Sequence, residues 1–141
     1  MIPSFEYVKL GDFAYHILRD PAEIRSHIMK WIMREWEHDH NEAPDEHWTV
    51  AWMNALPKMT FHLEIIRLED IHPNTDLWSV NEFRSDLEER ADEREESILR
   101  GGSIEPLLVN RDGFELMDGY TRYTVLKRHE QKEVYAYLGS A

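Results

Sequence analysis

Cysteine is absent from this 141-residue sequence, and so is any long apolar segment. Without cysteine the chain has no disulfide bonds, no thiolate metal ligands and no cysteine nucleophile. No apolar run approaches the roughly 18 residues that a membrane span needs, and the first residues lack the basic start and apolar core of a signal peptide. We therefore expect a soluble, cytoplasmic protein without a membrane partner.

Basic residues are scarce relative to acidic ones: 16 lysines and arginines stand against 28 aspartates and glutamates, for a net charge of -12. A strongly negative chain is repelled by the phosphate backbone, so direct binding to DNA is disfavoured. The length fits one domain, or a small domain with an extension, and is sufficient to bury a core without disulfides.

The N-terminal part, residues 1–60, predicts a mostly helical extension packed on the core or on a partner. One or two short strands, or an arm, come first. Asp20-Pro21-Ala22-Glu23 is typical of a helix start, with an N-cap aspartate and proline at the first helical position. We expect the helix to run to about Glu37. Its apolar face carries Trp31 and Trp36, so it is buried either on this domain or on a partner chain.

A polar segment from His38 to His47 interrupts the extension. Its three histidines and several carboxylates raise the alternative of a metal site, but their spacing matches no zinc motif and there is no H-E-x-x-H. We interpret the segment as an exposed loop and assign no metal ligands. Residues 48–56 predict a short helix that ends before Pro57.

The remainder, residues 61–141, predicts an α/β (α+β) fold with a small mixed sheet and helices. A capping box at Ser79-Val80-Asn81-Glu82 indicates one helix start. The expected elements are a strand at 60–68, a loop at 69–75, a helix from the capping box to about Arg100, strands at 106–109 and 114–117 joined by a turn at 110–113, a helix from Asp118-Gly119, and a strand at 133–138.

The candidate site lies where the strand at 114–117 runs into the helix that opens at Asp118-Gly119. Arg122 falls in the first turn of that helix. Backbone N–H groups, the positive end of the helix dipole and a guanidinium then meet in one place, an arrangement that binds anions and phosphate above all. Asp118 is either the N-cap of the helix, which we prefer, or a general base or metal ligand.

Three motifs stand in order along this region. Ile71-His72-Pro73-Asn74 reads I-x-P-N after the first strand. Ser97-Ile98 with the stretch 101–109 resembles the pattern S-I-x-x-G-x-I-x-P-L-x-V. Gly119-Tyr120-Thr121-Arg122-Tyr123 stands where a G-E-R-R-Y motif opens a helix. Together the motifs resemble the ParB/sulfiredoxin-like fold, and in particular the N-terminal domain of ParB-type proteins.

The resemblance implies a nucleotide site, because the equivalent pocket binds CTP in ParB proteins and ATP in sulfiredoxin and in the free-serine kinases of the superfamily. It implies that Gly119 allows close approach, that Arg122 contacts phosphate and that Thr121 adds a hydroxyl. The expected cofactor is ATP or CTP, with Mg²⁺. The binding residues that it implies are Gly101, Gly102, Ser103, Glu105, Pro106, Gly119, Tyr120, Thr121 and Arg122.

The chain also departs from the family pattern. Tyr120 replaces the sulfiredoxin cysteine, which excludes sulfinic acid reduction, and Tyr120-Thr121 replaces a Glu-Arg pair of ParB, which removes one basic contact. Glu105 replaces a glutamine, and a carboxylate beside a triphosphate needs a metal or another cation between them. The serine kinases carry a glutamate just after the first proline. Here the nearest acid is Asp76, so Asp76 and Asp118 are the candidate catalytic residues.

The leading hypothesis is a stand-alone ParB/sulfiredoxin-like domain that binds a nucleoside triphosphate and either hydrolyses it, transfers its γ-phosphoryl group to a small molecule or only binds it. One alternative is a non-enzymatic module that binds a protein partner or a second copy through the Trp-rich helix 21–37. The other is a DNA-associated, nuclease-type role. The negative charge disfavours this role, as does the expected lack of a helix-turn-helix domain beyond Ala141.

Overall fold

The computed structural model describes residues 5–42, 55–73 and 81–141, with only the course of the backbone for residues 33, 35–42, 81–84 and 86. The elements in this part of the chain are β1 (Glu6–Leu10), β2 (Phe13–Ile17), α1 (Pro21–Glu42), β3 (Thr60–Arg67), α2 (Asn81–Leu99), β4 (Ser103–Ile104), β5 (Leu107–Asn110), β6 (Glu115–Asp118), α3 (Tyr120–Arg128) and β7 (Glu133–Ser140), together with short 3-10 turns at Leu56–Lys58 and Leu68–Asp70.

The described strands form two sheets. In the smaller sheet β1 and β2 make an antiparallel hairpin, and β4 pairs with β2 in parallel. The larger sheet has the order β3-β7-β5-β6, in which β7 and β5 are parallel and the outer pairs are antiparallel. The predicted α/β class with a mixed sheet is confirmed.

Both faces of the larger sheet are covered, as the alternation of side chains along its strands requires. Leu108, Met117 and Tyr137 belong to a core that contains the apolar side chains of α1. Their strand neighbours, Leu107 and Leu138 among them, belong to a second core with residues of β2, β4, α2 and α3. Strands buried on both faces carry continuous apolar runs, which explains the Leu107-Leu108-Val109 sequence.

Helix α1 is held by its start and by one apolar stripe. The Asp20 carboxylate accepts a hydrogen bond from the N–H of Glu23 at 3.0 Å, which confirms the predicted cap. Ile24, Ile28 and Ile32 have no exposed surface and pack on the larger sheet, so the isoleucine stripe is buried on this chain rather than on a partner. In the part of the chain that is described, no helix has the length and apolar character to cross a membrane.

The predicted end of α1 is wrong, because the helix continues past Glu37 to Glu42. The first residues of the predicted polar loop are therefore helical. Polar residues such as His38 and Asp39 are weak helix formers but do not break a helix. The predicted loop residues 43–47 lie outside the described residues, as do residues 48–54 of the short helix predicted at 48–56. So do residues 74 and 75 of the loop predicted at 69–75, and the first half of the capping box, Ser79-Val80.

Strand ends differ from the prediction by one or two residues. Strand β5 begins at Leu107 because Pro106 has no N–H for the sheet. Phe114 has a φ of 50° and belongs to the turn, so β6 begins one residue late. Strand β7 extends to Ser140 because its last residues pair with β3. The two-residue strand β4 is not predicted, since only its pairing with β2 defines it.

We expect Ile28→Ala to lower the free energy of unfolding by about 2–5 kcal/mol, because it opens a cavity between α1 and the larger sheet. Urea denaturation measures this change. Ile65→Ala on β3 is the matched control: Ile65 is 46% exposed, and its truncation should cost less than about 1 kcal/mol. Equal losses in the two variants would show that α1 does not pack on the sheet as described.

Candidate functional site

Helix α3 begins directly where strand β6 ends. Its N-cap is Gly119, which has a φ of 98° and no side-chain cap, and whose carbonyl accepts the N–H of Tyr123 at 2.8 Å. A residue with a side chain rarely adopts this left-handed conformation, so the turn from strand to helix depends on glycine. The preferred N-cap, Asp118, is therefore wrong. Asp118 is the last residue of β6, and its side chain is buried.

The backbone at Gly119 lies close to two side chains. A β-carbon at this position would be 2.7 Å from Nη2 of Arg122 and 2.9 Å from Cδ2 of Leu107. The missing side chain therefore leaves room for the guanidinium of Arg122 to lie over the start of the helix. The sequence predicted a close approach at Gly119, and the structure shows one with the chain's own arginine.

The guanidinium of Arg122 is half-buried and only partly satisfied. Its Nη2 donates a hydrogen bond to the carbonyl of Pro106 at 3.3 Å, and its Cζ lies 5.1 Å from the ring centre of Trp31 in α1, a cation–π contact. Its Nε is buried and has no hydrogen-bond partner among the described residues. Buried donors normally have an acceptor, and the oxygen of an anion is a strong one.

The loop between α2 and β5 starts with a glycine-dependent helix end. The N–H of Gly101 bonds the carbonyl of Ile98 at 3.0 Å, and the N–H of Gly102 bonds the carbonyl of Ser97 at 3.2 Å. This is a Schellman motif, with Gly101 at a φ of 96°. It turns the chain so that Ser103 pairs with β2 and the loop continues through Glu105 and Pro106.

Glu105 lies at the centre of a polar cluster that three elements build. Its Oε1 is 2.6 Å from Nε2 of His27 in α1 and 3.6 Å from Nε2 of His16 in β2. The other ring nitrogen of His16, Nδ1, is 2.9 Å from Oγ of Ser103. The ring of Phe5 contacts both imidazoles edge-on, with centroids 5.2 Å apart in each case. The cluster joins the N-terminal hairpin and α1 to the loop.

The surroundings of Glu105 favour its charged form. Burial alone would raise the pKa of this carboxyl, but the imidazoles of His16 and His27, followed by the guanidinium of Arg122, lower the pKa to about 2. The site therefore holds an ionised carboxylate close to the arginine at the start of α3. The nearby phenol of Tyr137 has its pKa raised to about 12, first by burial and then by the charge of Glu105.

The structure brings together five of the nine predicted binding residues: Ser103, Glu105, Pro106, Gly119 and Arg122. The other four are placed differently. Gly101 and Gly102 form the helix end, Thr121 is half-buried in the first turn of α3, and Tyr120 has a buried phenol that donates to the carbonyl of Leu116. Whether these nine bind a nucleotide stays a prediction.

The structure describes one of the two candidate catalytic acids. Asp118 precedes the start of α3 and is 6% exposed. Asp76 lies outside the described residues. The catalytic role predicted for either acid is untested. Over the described ranges, no three His, Asp or Glu side chains have an arrangement that would hold a metal ion, even though two histidines meet Glu105.

Sequence reasoning missed His16 and His27. Each is a single histidine in an unremarkable strand or helix, and each is more than 75 residues from Glu105, at separations of 89 and 78 residues. The only signal in the sequence was indirect. An acid at Glu105, where the family pattern has glutamine, requires a cation nearby, but nothing local says which residue supplies it.

A separate cavity of about 800 Å³ lies beside the other end of α3. Leu68, Ile71 and Tyr123 contribute its apolar surface. Arg67, Glu69, Lys127, Glu130, Gln131 and Lys132 complete its lining. The cavity contains none of the predicted site residues. Its three cations make it a competing place for an anion, which an experiment on the candidate site has to distinguish.

We expect Gly119→Ala to lower the free energy of unfolding by about 1–3 kcal/mol, since it adds both backbone strain and a steric clash with Arg122 and Leu107. Gly101→Ala is the matched control. Gly101 has a similar φ of 96° but open space around the new β-carbon, so it reports the strain alone. Urea denaturation of both variants measures the difference; losses of the same size would contradict the close packing at Gly119.

The lowered pKa of Glu105 predicts a loss of stability in acid. The folded-state pKa lies below the ordinary value of 4.5, so the contribution is present above that value and disappears as the pH falls toward 2. Between about pH 6 and about pH 2 the stability difference between wild type and Glu105→Gln should shrink by up to about 3 kcal/mol. Glu93→Gln on the exposed face of α2 is the control in the same unfolding series. A stability difference between wild type and Glu105→Gln that stays constant with pH would refute the prediction.

Comparison with known proteins gives matches among solved structures. No family model matches the chain, and no curated protein matches it. A Pnob8-like ParB-N domain, in a C2221 form, is 26% identical with a TM-score of 0.43, over 57% of this chain and 30% of that chain. A pNOB8-like ParB N-domain is 28% identical with a TM-score of 0.39, over 57% of this chain and 28% of that chain. The matched region is thus less than a third of the length of either ParB chain. Over somewhat more than half of its length, the chain is therefore similar to these ParB N-domain structures.

Proposed function

We propose that this chain binds a nucleoside triphosphate, ATP or CTP, with its phosphates at the start of α3. The observation that carries the proposal is the half-buried guanidinium of Arg122, whose Nε has no hydrogen-bond partner among the described residues and which lies over a helix start without a side-chain cap. A phosphate oxygen at this position would receive a charge-assisted hydrogen bond from the guanidinium and would face the positive end of the helix dipole.

The lining of the site supports a ligand larger than a simple anion. Trp31 and the imidazole of His27 lie beside Arg122 and Glu105, with ring centroids 6.1 Å apart, so aromatic surface adjoins the proposed phosphate position. A site with aromatic side chains beside a cation suits a nucleotide better than inorganic phosphate, because a nucleotide has both an aromatic base and a polyanion. The resemblance to ParB and sulfiredoxin-like proteins points to the same class of ligand.

Glu105 limits how the triphosphate binds. Its ionised carboxylate repels phosphate, so a cation has to lie between them or beside them. Mg²⁺ carried by the nucleotide would serve this role, and so would a protonated imidazole. Hydrolysis, or transfer of the γ-phosphoryl group to a small molecule, stays a prediction in which Asp118 would activate the acceptor or hold the metal.

We expect a nucleotide to raise the melting temperature of the wild type and not that of Arg122→Ala. At about 100 times its dissociation constant a ligand adds about 2.7 kcal/mol of stability, which a thermal shift detects easily. The assay compares ATP, CTP, GTP and UTP, each with and without Mg²⁺, so that the effective nucleotide identifies the base and the need for metal.

Lys127→Ala is the matched control, because it also removes one positive charge from α3 but does so at the separate cavity. A shift that survives in Arg122→Ala and disappears in Lys127→Ala would move the nucleotide to that cavity and overturn the proposed site. No shift with any nucleotide would overturn nucleotide binding itself. The partner-binding module and the DNA-associated role would then be the hypotheses to test.

A further inference from the structure

The carboxylate of Glu105 is enclosed by groups from four elements that can carry or modulate charge. His27 of α1 and His16 of β2 approach the same oxygen, Oε1, at 2.6 and 3.6 Å. Among the residues that the structure describes, Arg122 of α3 and the phenol of Tyr137 in β7 are the other ionisable groups that interact with it. Of these residue types, histidine is the one that gains or loses its charge near neutral pH.

Both imidazoles are held in place by contacts other than their charge. Ser103 binds Nδ1 of His16 at 2.9 Å, and the Phe5 ring contacts both histidine rings edge-on. The side chains of His16 and His27 are 23% and 19% exposed, so solvent can deliver a proton to them. The pair is therefore positioned at Glu105 and accessible to solvent.

We propose that His16 and His27 set the affinity of the site for its ligand by taking up a proton when a polyphosphate binds. This inference rests on the proposed nucleotide site. A phosphate on Arg122 would increase the negative charge next to Glu105, and a proton on the imidazole pair would compensate for it. The histidines act as charge-compensating residues that determine how the ligand is bound, and they replace part of the role of Mg²⁺.

The consequence is a pH dependence of a definite sign. If binding takes up a proton, affinity rises as the pH falls, by up to about tenfold per pH unit for each proton. Nucleotide without Mg²⁺ should show the effect most strongly, because no metal then compensates for Glu105. If the cluster only held the N-terminal hairpin and α1 against the loop, the affinity for nucleotide would not depend on pH in this way.

The test is calorimetric titration of Mg²⁺-free nucleotide, ATP or CTP, between about pH 6 and about pH 8, in buffers of different ionisation enthalpy that count protons directly. The nucleotide's own protonation is the same in every titration, so it cancels when a variant is compared with wild type. Glu105→Gln should bind several-fold more tightly than wild type at the high end of this range and show a flatter pH dependence. His27→Gln should bind more weakly at the low end, with a flatter dependence as well.

His62→Gln is the matched control, because His62 is an exposed histidine on β3, away from the cluster. It should bind like wild type at every pH. Since a variant of the cluster could lose its fold, the imidazole signals of wild type are also followed by NMR, and the midpoint of His16 or His27 should rise when nucleotide is added.

Each outcome separates the two proposals. Wild type that binds nucleotide without proton uptake, or a Glu105→Gln variant that binds more weakly, overturns the charge-compensating role and leaves the nucleotide site standing. Unmoved histidine midpoints do the same. Absence of nucleotide binding by wild type at every pH overturns the proposed function, and the present inference with it.

Discussion

Burial of both faces of the sheet β3-β7-β5-β6 is the constraint on which the rest of this structure depends. One face packs against the isoleucine stripe of α1, and the other packs against side chains of β2, β4, α2 and α3. A sheet covered on one face only would expose Leu108, Met117 and Tyr137 to water, at a cost of about 1.5–3 kcal/mol for each large apolar side chain. The N-terminal helix is therefore part of the same core as residues 107–140 of the larger sheet.

This packing explains why the candidate site has residues from distant parts of the sequence. Covering the larger sheet with α1 brings His27 and Trp31 to the loop before β5 and to the start of α3. Pairing of β4 with β2 brings His16 to Ser103 in the same way. The fold thus places Trp31 and two histidines from the N-terminal part near Gly119 and Arg122, where an anion would bind.

Electrostatics give this site a character that the net charge of the chain does not suggest. The chain is strongly acidic, yet the start of α3 combines a helix dipole with a guanidinium and two imidazoles. On the exposed side of α2 the acids are arranged differently: Glu88, Asp92 and Glu95 bind Arg128, the last residue of α3. Within the described ranges, no carboxylate is hydrogen-bonded to Arg122 in this way. Its charge is balanced by Glu105 at longer range, and Glu105 is itself held by the histidines.

Local pattern was sufficient for part of the structure because the interactions that decide it are local. The Asp20 cap, the glycine-dependent end of α2, the strand at β3 and the strand-to-helix junction at Gly119 each involve residues a few positions apart. The predicted strand boundaries are wrong where strand pairing decides them. Strand β7 extends to Ser140 because its last residues pair with β3, and β4 is a strand only because it pairs with β2. The predicted end of α1 is wrong because a run of polar residues weakens a helix without ending it.

The amino-acid sequence by itself determined the mixed fold class, the glycine and arginine at the start of α3, and the unusual acid at Glu105. Only the tertiary structure decided what surrounds that acid. His16 and His27 are 89 and 78 residues away from it, and no periodicity or spacing links them. They meet Glu105 because apolar burial places α1 and the N-terminal hairpin against the loop, and long-range packing of that kind leaves no local trace in the chain.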